Sequence, residues 1–293
     1  MYSYILRRTG IYTPGNNPYM IFNSAIFGAD TIVLDLEDGV SVNEKDAARI
    51  LVRNALTYVD FRQSEVAVRI NSLSTPYGMK DLMSVVCERL DAIRLPKCEH
   101  SEDVIKVSKI LDKLELERGL TKGRIKIMPI IESALGAHNS VEIACSDKRI
   151  CALNFGGEDY TADIGAERTR EGEELFDIRM KVLTAASIAG INALDTVFGD
   201  INDIEGLTAE TRLVKKLGFD GKSVIHPRQI KIIHKVFTPS EKEIKKAMRI
   251  INALEEAEKK RSGVIALGGK MIDAPVAARA KKVLLLAKAA GLV

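Results

Sequence analysis

The 293-residue sequence contains no tryptophan and only four histidines, and its 43 basic side chains nearly balance its 40 acidic ones. A nucleic-acid-binding domain is expected to carry a basic stripe and aromatic residues on which bases stack, and neither is present. No segment approaches the ~20 consecutive apolar residues that a membrane-spanning helix needs. The composition therefore predicts a protein that binds neither nucleic acid nor a membrane.

Cysteine is also scarce, with four residues: Cys87, Cys98, Cys145 and Cys151. None of them forms a C-x-x-C pair, and a disulfide framework is not expected in a chain of this length. No apolar run follows Arg7 and Arg8, as a secretory signal would require. We therefore expect a reduced, cytoplasmic protein.

Short apolar runs rich in β-branched residues alternate with longer segments of helical period. The predicted strands lie near residues 4–12, 31–35, 66–70, 92–95, 125–131, 150–155, 191–194 and 222–225. Helical connections and the lack of hairpin dipeptides favour parallel strands with helical crossovers. Eight such units over roughly 240 residues match the size of a (β/α)₈ TIM barrel, which we predict for residues 1–236. The alternative is an open doubly wound sheet, but the G-x-G-x-x-G motif that often marks one is absent.

Residues 237–293 are predicted to form a C-terminal helical extension. Ser240 and Glu243 have the spacing of a capping box, and a second helix is expected from Pro275 to Ala290. The apolar faces of these helices need a partner, either the chain's own barrel or that of a neighbouring subunit. Asp273 precedes the second helix, where it suits a helix cap as well as a site residue.

Polar residues follow most of the predicted strands where the apolar run stops. They are Asp35, Glu37, Asp38, Arg69, Asn71, Lys97, Glu132, Glu158, Asp159, Asp195, Ser223 and His226. The carboxyl ends of barrel strands meet at the face that carries the chemistry, so we expect these side chains to converge. Crowded carboxylates raise one another's pKa values, and a divalent cation relieves that repulsion. Oxygen ligands without a zinc-type histidine spacing favour Mg²⁺ as this cation.

Arg69 interrupts the otherwise apolar strand predicted at 66–70. A guanidinium in such a place needs an anion, either a structural carboxylate or the carboxylate of a bound substrate, which it can clamp with two hydrogen bonds. We favour the substrate clamp. Lys97 offers an amine for a Schiff base, but we favour a structural or anion-pairing lysine.

Eight motifs, in order along the chain, resemble the HpcH/HpaI aldolase and citrate lyase superfamily. They are Tyr12-Thr-Pro-Gly-Asn-Asn-Pro18, Asp35-Leu-Glu-Asp-Gly-Val40, Val68-Arg-Ile-Asn71, Arg94-Leu-Pro-Lys97, Ile131-Glu-Ser-Ala-Leu-Gly136, Gly157-Glu-Asp-Tyr160, Gly221-Lys-Ser-Val-Ile-His-Pro227 and Gly269-Lys-Met-Ile-Asp-Ala-Pro275. The first and the sixth are most similar to the citrate lyase beta-subunit branch. His226 departs from that branch, in which asparagine is expected.

The resemblance implies that Glu132 and Asp159 hold Mg²⁺, and we predict that Glu37 and Asp38 hold water molecules bound to the ion. It further implies that Arg69 grips the substrate, and we predict Asn71 as a second substrate-binding residue. In related lyases that act on coenzyme A thioesters, the tail reaches a neighbouring subunit of a homotrimer. By this likeness, Asp273 is our candidate for protonating the enolate product.

The reaction implied by the resemblance is the cleavage of a citryl thioester on an acyl-carrier protein to oxaloacetate and an acetyl thioester. In citrate lyases this subunit works with an alpha subunit and a gamma carrier subunit. The nearest alternative is a stand-alone malyl- or citramalyl-CoA lyase that acts on free coenzyme A thioesters. More distant alternatives are a pyruvate-dependent aldolase and a catalytically silent barrel that serves in assembly.

Overall fold

The computed structural model describes residues 5–259, 265–267 and 270–293. Gly269, the first residue of the last motif, lies outside the described residues, as does part of the predicted extension. The chain divides into a large compact unit of residues 7–234 and a smaller one that contains the described chain from residue 235 onward. No described helix is both long enough and apolar enough to cross a membrane.

Eight parallel strands close into a barrel in the order of the sequence, which confirms the predicted fold. They are β1 (Thr9–Pro14), β2 (Thr31–Asp35), β3 (Glu65–Arg69), β4 (Ala92–Leu95), β5 (Lys126–Ile131), β6 (Ala152–Phe155), β7 (Asn192–Asp195) and β8 (Gly221–Val224). β1 pairs with both β2 and β8, and this closes the barrel. β1 begins and ends later than predicted, since its ladder with β2 runs from Gly10 to Pro14, which pairs with Asp35.

Helices connect the strands, as the alternating periods predicted. They are α1 (Pro18–Asn23), α2 (Lys45–Tyr58), α3 (Gly78–Val85), α4 (Ser101–Glu117), α5 (Ala134–His138), α6 (Ser140–Cys145), α7 (Gly157–Ile164), α8 (Phe176–Ala189), α9 (Ile204–Leu217) and α10 (Pro227–Phe237). The strands are buried almost throughout, and β2 is buried at all five positions. This explains why they read as continuous apolar runs.

The smaller unit contains α11 (Glu241–Lys259), the antiparallel strands β9 (Ile265–Leu267) and β10 (Lys270–Ile272), and α12 (Ala274–Ala289). The predicted capping box is confirmed, because Ser240 N donates to Glu243 Oε2 over 2.8 Å and Glu243 N to Ser240 Oγ over 3.3 Å. Ala247 and Ile250 of α11 belong to a core cluster that includes Ala280 of α12. The two helices of the extension therefore share one apolar core.

Asp195 ends β7, and we expected it among the side chains at the chemical face. The structure instead buries it completely in an ion cluster with Arg179, Lys222 and Glu210. Asp195 Oδ2 accepts from Lys222 Nζ over 2.7 Å, and Asp195 Oδ1 from Arg179 Nε over 2.9 Å. Burial raises the pKa of Asp195, but the charges of Lys222 and Arg179 outweigh it and hold this pKa below its usual value. The ion cluster therefore joins the barrel to α8 and α9.

We predict that Asp195→Asn lowers the free energy of unfolding by about 3–5 kcal/mol, because it leaves buried cations without one of their partners. Urea unfolding at neutral pH measures this change. Asp177→Asn is the matched control, since Asp177 forms an exposed ion pair within α8 and should unfold close to wild type. Equal midpoints for the two variants would contradict the structural role of Asp195.

Candidate active site

Two cavities lie among the residues that follow the barrel strands. The central cavity, of about 410 Å³, is lined by residues that include Tyr12, Asp35, Arg69, Thr196 and Ser223. The lateral cavity, of about 680 Å³, is lined by residues that include Ser72, Lys97, His100, Lys106 and Ser133. Glu132 and Asp159 line both cavities. The two predicted metal ligands therefore lie where the cavities meet.

Glu132 directly follows β5 and is 5% exposed. Its Oε1 accepts a hydrogen bond from the backbone N–H of Lys97 over 2.7 Å. Lys97 has a φ of 53°, a conformation uncommon for residues other than glycine and often found at functional sites. A Cβ on Gly156 would lie 2.6 Å from Glu132 Oε2, so glycine is needed there. The local backbone thus holds this carboxylate in one place.

Asp159 lies in the first turn of α7, where the helix dipole favours a carboxylate. Burial and the neighbouring charge of Asp159 raise the pKa of Glu132 to about 7, although the Lys97 N–H and Arg69 act in the opposite direction. A divalent cation between the two carboxylates would remove this repulsion. Oxygen donors of this kind suit Mg²⁺, which commonly takes one or two carboxylates and keeps its waters.

Within the described ranges, no group of three or more His, Cys, Asp or Glu side chains is arranged to hold a metal ion. A site of two carboxylates remains compatible with Mg²⁺, because water and substrate oxygens supply the other ligands. The assignment of Glu132 and Asp159 as ligands stays a prediction, supported by their position and by the raised pKa of Glu132.

Arg69 ends β3 and is clamped by protein carboxylates. Its Nε and Nη2 donate to the two oxygens of Asp35, each over 2.7 Å. Its Nη1 lies 3.1 Å from Asp38 Oδ2 and 3.0 Å from Glu37 Oε2. The bidentate partner is thus Asp35, a structural carboxylate, rather than a substrate. The side chain of Asp38 is 60% exposed, so this is the contact that an incoming substrate oxygen can replace.

Glu37 is buried beside Arg69. Burial raises its pKa to about 8; Arg69 lowers it, while Asp38, Glu132 and Asp35 raise it further. Its Oε2 forms an ion pair with Arg69 Nη1 but no hydrogen bond of suitable geometry in the part of the chain that the structure describes. The predicted role of Glu37 and Asp38 in holding metal-bound water stays a prediction, and their observed contact is with Arg69.

Asn71 is a site prediction that its position does not favour. Its amide donates to Leu36 O over 2.8 Å and to Asp81 Oδ2 over 2.7 Å, and it lines neither cavity. The amide therefore has a structural use, because it fixes the loops after β2 and β3. His226 also lines neither cavity, and its Nδ1 accepts from the backbone N–H of Arg228.

Asp273 caps α12, since its Oδ1 accepts from Val276 N over 3.0 Å. The capping alternative is confirmed, and the catalytic role stays a prediction. The side chain of Lys97 is 57% exposed, with its amine 4.0 Å from Glu37, which fits an anion-pairing lysine.

Tyr12 and Arg94 belong to the quoted motifs but were not predicted as site residues. The Tyr12 ring lines the central cavity and packs under the guanidinium of Arg69, 4.8 Å from its centroid. Arg94 lies in β4, between apolar neighbours, and donates to the Tyr12 hydroxyl over 3.1 Å. For Arg94, the sequence offered the same signal as for Arg69, namely a charged residue inside an apolar strand.

Known proteins resemble this chain over nearly its whole length. The HpcH/HpaI aldolase/citrate lyase family matches residues 8–227. A citrate lyase subunit beta from Leuconostoc mesenteroides subsp. cremoris is 48% identical over 98% of this chain and 95% of that protein. The structure of protein CitE from Mycobacterium tuberculosis with magnesium, acetoacetate and coenzyme A is 31% identical, with a TM-score of 0.78, covering 97% of this chain and 98% of that one. The citrate lyase beta subunit from M. tuberculosis with oxaloacetate and magnesium is 32% identical, with a TM-score of 0.67, covering 80% and 98%.

We predict that the affinity for Mg²⁺ falls as the pH is lowered through about 7, because Glu132 must lose its proton before it can bind the ion. The loss should approach about tenfold per pH unit below that pKa if one proton is displaced. Calorimetric titration of Mg²⁺ in buffers of different ionisation enthalpy measures both the affinity and the protons released. Glu132→Gln should bind weakly with no such dependence, and a flat wild-type profile would contradict the assignment.

Proposed function

This chain belongs to the HpcH/HpaI aldolase/citrate lyase family and is a carbon–carbon lyase, and we propose that it cleaves a citryl thioester to oxaloacetate and an acetyl thioester. The observation that carries this proposal is the pair Glu132 and Asp159 at the junction of two cavities, with Arg69 in the central one. Such a junction lets the reacting carbons lie in one cavity while the thioester arm lies in the other.

The named relatives support the choice of substrate. The relative that is 48% identical is a citrate lyase subunit beta, and a similar structure contains oxaloacetate and magnesium. We therefore favour a citryl group on an acyl-carrier protein. The second candidate is a stand-alone malyl- or citramalyl-type lyase, and the coenzyme A in another similar structure is the observation that favours it. The 48% identity to a citrate lyase subunit, against 33% to a citramalyl-CoA lyase, makes this candidate the weaker one.

The reaction begins when a base takes the proton from the tertiary hydroxyl of the substrate. An electron pair of that oxygen then forms the keto group of oxaloacetate, the carbon–carbon bond breaks, and the electron pair of the broken bond passes to the thioester enolate. Bound at Glu132 and Asp159, Mg²⁺ would act as a Lewis acid toward substrate oxygens. Arg69, held rigid by Asp35, supplies fixed positive charge once a substrate oxygen replaces Asp38. Protonation of the enolate carbon by Asp273 completes the acetyl thioester.

The proposed assembly has two levels. The first is a homotrimer in which Asp273 of one subunit serves the barrel of its neighbour. The second is a complex with alpha and gamma subunits, the gamma subunit carrying the acyl group. The cytoplasm is the proposed compartment, in keeping with the four cysteines, all of which are unpaired.

Purified protein in Mg²⁺ should release oxaloacetate, coupled to malate dehydrogenase, from citryl-carrier or citryl-CoA, and release nothing in EDTA. Asp159→Asn should weaken Mg²⁺ binding and lower turnover by about 10²-fold or more, since it removes a predicted ligand. Asp177→Asn makes the same change of charge, but Asp177 lies on the exposed surface of α8. This control variant should therefore leave Mg²⁺ binding and turnover unchanged.

Products from the other thioesters would decide between the candidates. Pyruvate from citramalyl-CoA or glyoxylate from malyl-CoA, without oxaloacetate from a citryl substrate, would replace the proposal with a stand-alone lyase. Full turnover of Asp159→Asn in saturating Mg²⁺ would contradict the metal site.

A second prediction concerns Asp273. Asp273→Asn should abolish turnover while α12 stays capped, because asparagine caps a helix as well as aspartate does. Glu132→Gln should be inactive for a different reason, the loss of a metal ligand. If Asp273 serves a neighbour, co-expressed Asp273→Asn and Glu132→Gln chains should regain roughly a quarter of wild-type activity by random assembly. Mixed oligomers, isolated through two affinity tags, that are no more active than the parents would contradict the shared site.

A further inference from the structure

Arg94 is a buried cation in the interior of the barrel. It is 1% exposed and extends from β4 toward β1 and β8, where its Nη1 donates to the Tyr12 hydroxyl over 3.1 Å and to Ser223 Oγ over 3.2 Å. The guanidinium carbon is 5.2 Å from the centroid of the Tyr12 ring. Gly10 makes room for it, because a Cβ there would overlap Arg94 Nη2. Gly10, Tyr12 and Ser223 thus surround the guanidinium of Arg94 inside the barrel.

Arg94 differs from the other buried arginines of the described chain in having no carboxylate partner. The others are paired with carboxylates: Arg7 with Glu65, Arg49 with Asp81, Arg149 with Glu115 and Arg179 with Asp195. Both partners of Arg94 are neutral hydroxyls, and its Nε has no partner among the residues that the structure describes. A buried charge without a counter-ion is costly, so its presence calls for an anion that arrives from outside the chain.

The two hydroxyls connect Arg94 with the substrate. Tyr12 and Ser223 both line the central cavity. Because each hydroxyl oxygen accepts from Arg94, its own proton is available to donate, and no hydrogen bond from either proton is formed within the described ranges. The positive charge behind them makes both hydroxyls stronger donors. Two such donors in one cavity form a site for a carboxylate.

Unlike Arg94, Arg69 does not require an anion from outside the chain. Its charge is already compensated by Asp35, with Glu37 and Asp38 beside it. Arg69 lines the central cavity, and Arg94 lies behind two residues that line it. Of these two guanidinium groups, Arg94 alone retains an uncompensated charge. The site behind Tyr12 and Ser223 is therefore the electrostatically favourable place for an additional negative group of the substrate.

We propose that the hydroxyls of Tyr12 and Ser223, positioned by the buried guanidinium of Arg94, bind the carboxylate of the substrate that becomes the CH₂COO⁻ group of oxaloacetate. This inference rests on the proposed function. A citryl group has that carboxylate where a citramalyl group has only a methyl. The subsite therefore selects the substrate whose keto-acid product has two carboxylates over the substrate that yields pyruvate.

The test compares the binding of oxaloacetate and pyruvate in Mg²⁺ by calorimetry, using fresh oxaloacetate at low temperature. The two acids share the 2-oxo-carboxylate and differ only in the second carboxylate. Wild-type protein should bind oxaloacetate at least about tenfold more tightly than pyruvate, and Tyr12→Phe and Ser223→Ala should each lower oxaloacetate affinity by about tenfold. Pyruvate affinity should stay within about twofold in both variants, since neither hydroxyl contacts it.

These variants remove one hydroxyl each and leave Arg94 and the aromatic ring in place. Tyr58→Phe is the matched control, because Tyr58 is 81% exposed and should bind both acids as wild type does. Equal losses for oxaloacetate and pyruvate, or an unchanged ratio between them, would overturn the subsite and leave the proposed function standing. Wild-type protein that binds neither acid would overturn the proposed function and the subsite with it.

Discussion

The burial of Glu132 beside the charge of Asp159 is the physical constraint on which the site depends. The protein buries one carboxylate beside another, and the result is a pKa of about 7 for Glu132. This arrangement is unfavourable by itself and becomes favourable when a divalent cation lies between the two oxygens. The Lys97 N–H and the close approach of Gly156 hold Glu132 in place. If Glu132 and Asp159 are the ligands, as we propose, binding of the cation relieves this electrostatic cost.

Arg69 and Arg94 differ in how their positive charges are compensated. Two hydrogen bonds to Asp35 fix the position of the Arg69 guanidinium and compensate its charge. Arg94 lies deeper, with hydroxyls in place of carboxylates around it. By this account the two arginines have different tasks: Arg69 faces the carbon–carbon bond that breaks, and Arg94 supports recognition of the remaining carboxylate.

The alternating apolar and helical periods predicted the barrel, because parallel strands buried on both faces leave a clear pattern in the sequence. The same pattern placed Glu132 and Asp159 at the chemical face. It did not show in which direction a strand-end side chain points, so Asp195 was expected at the face although it lies in a buried ion cluster with Lys222. Hydrogen-bond partners distant in sequence could not be predicted either. An example is Asn71, whose amide donates to Leu36 and Asp81. Such contacts depend on register and packing, which a single sequence does not display.

A crystal structure with Mn²⁺ in place of Mg²⁺ would show whether Glu132 and Asp159 bind the ion, because anomalous scattering locates it. We expect one strong peak at the junction of the two cavities, with carboxylate oxygens of Glu132 and Asp159 each at about 2.0–2.2 Å. A peak bound by Glu37 and Asp38 without Glu132, or no peak at a saturating concentration of the ion, would contradict this expectation.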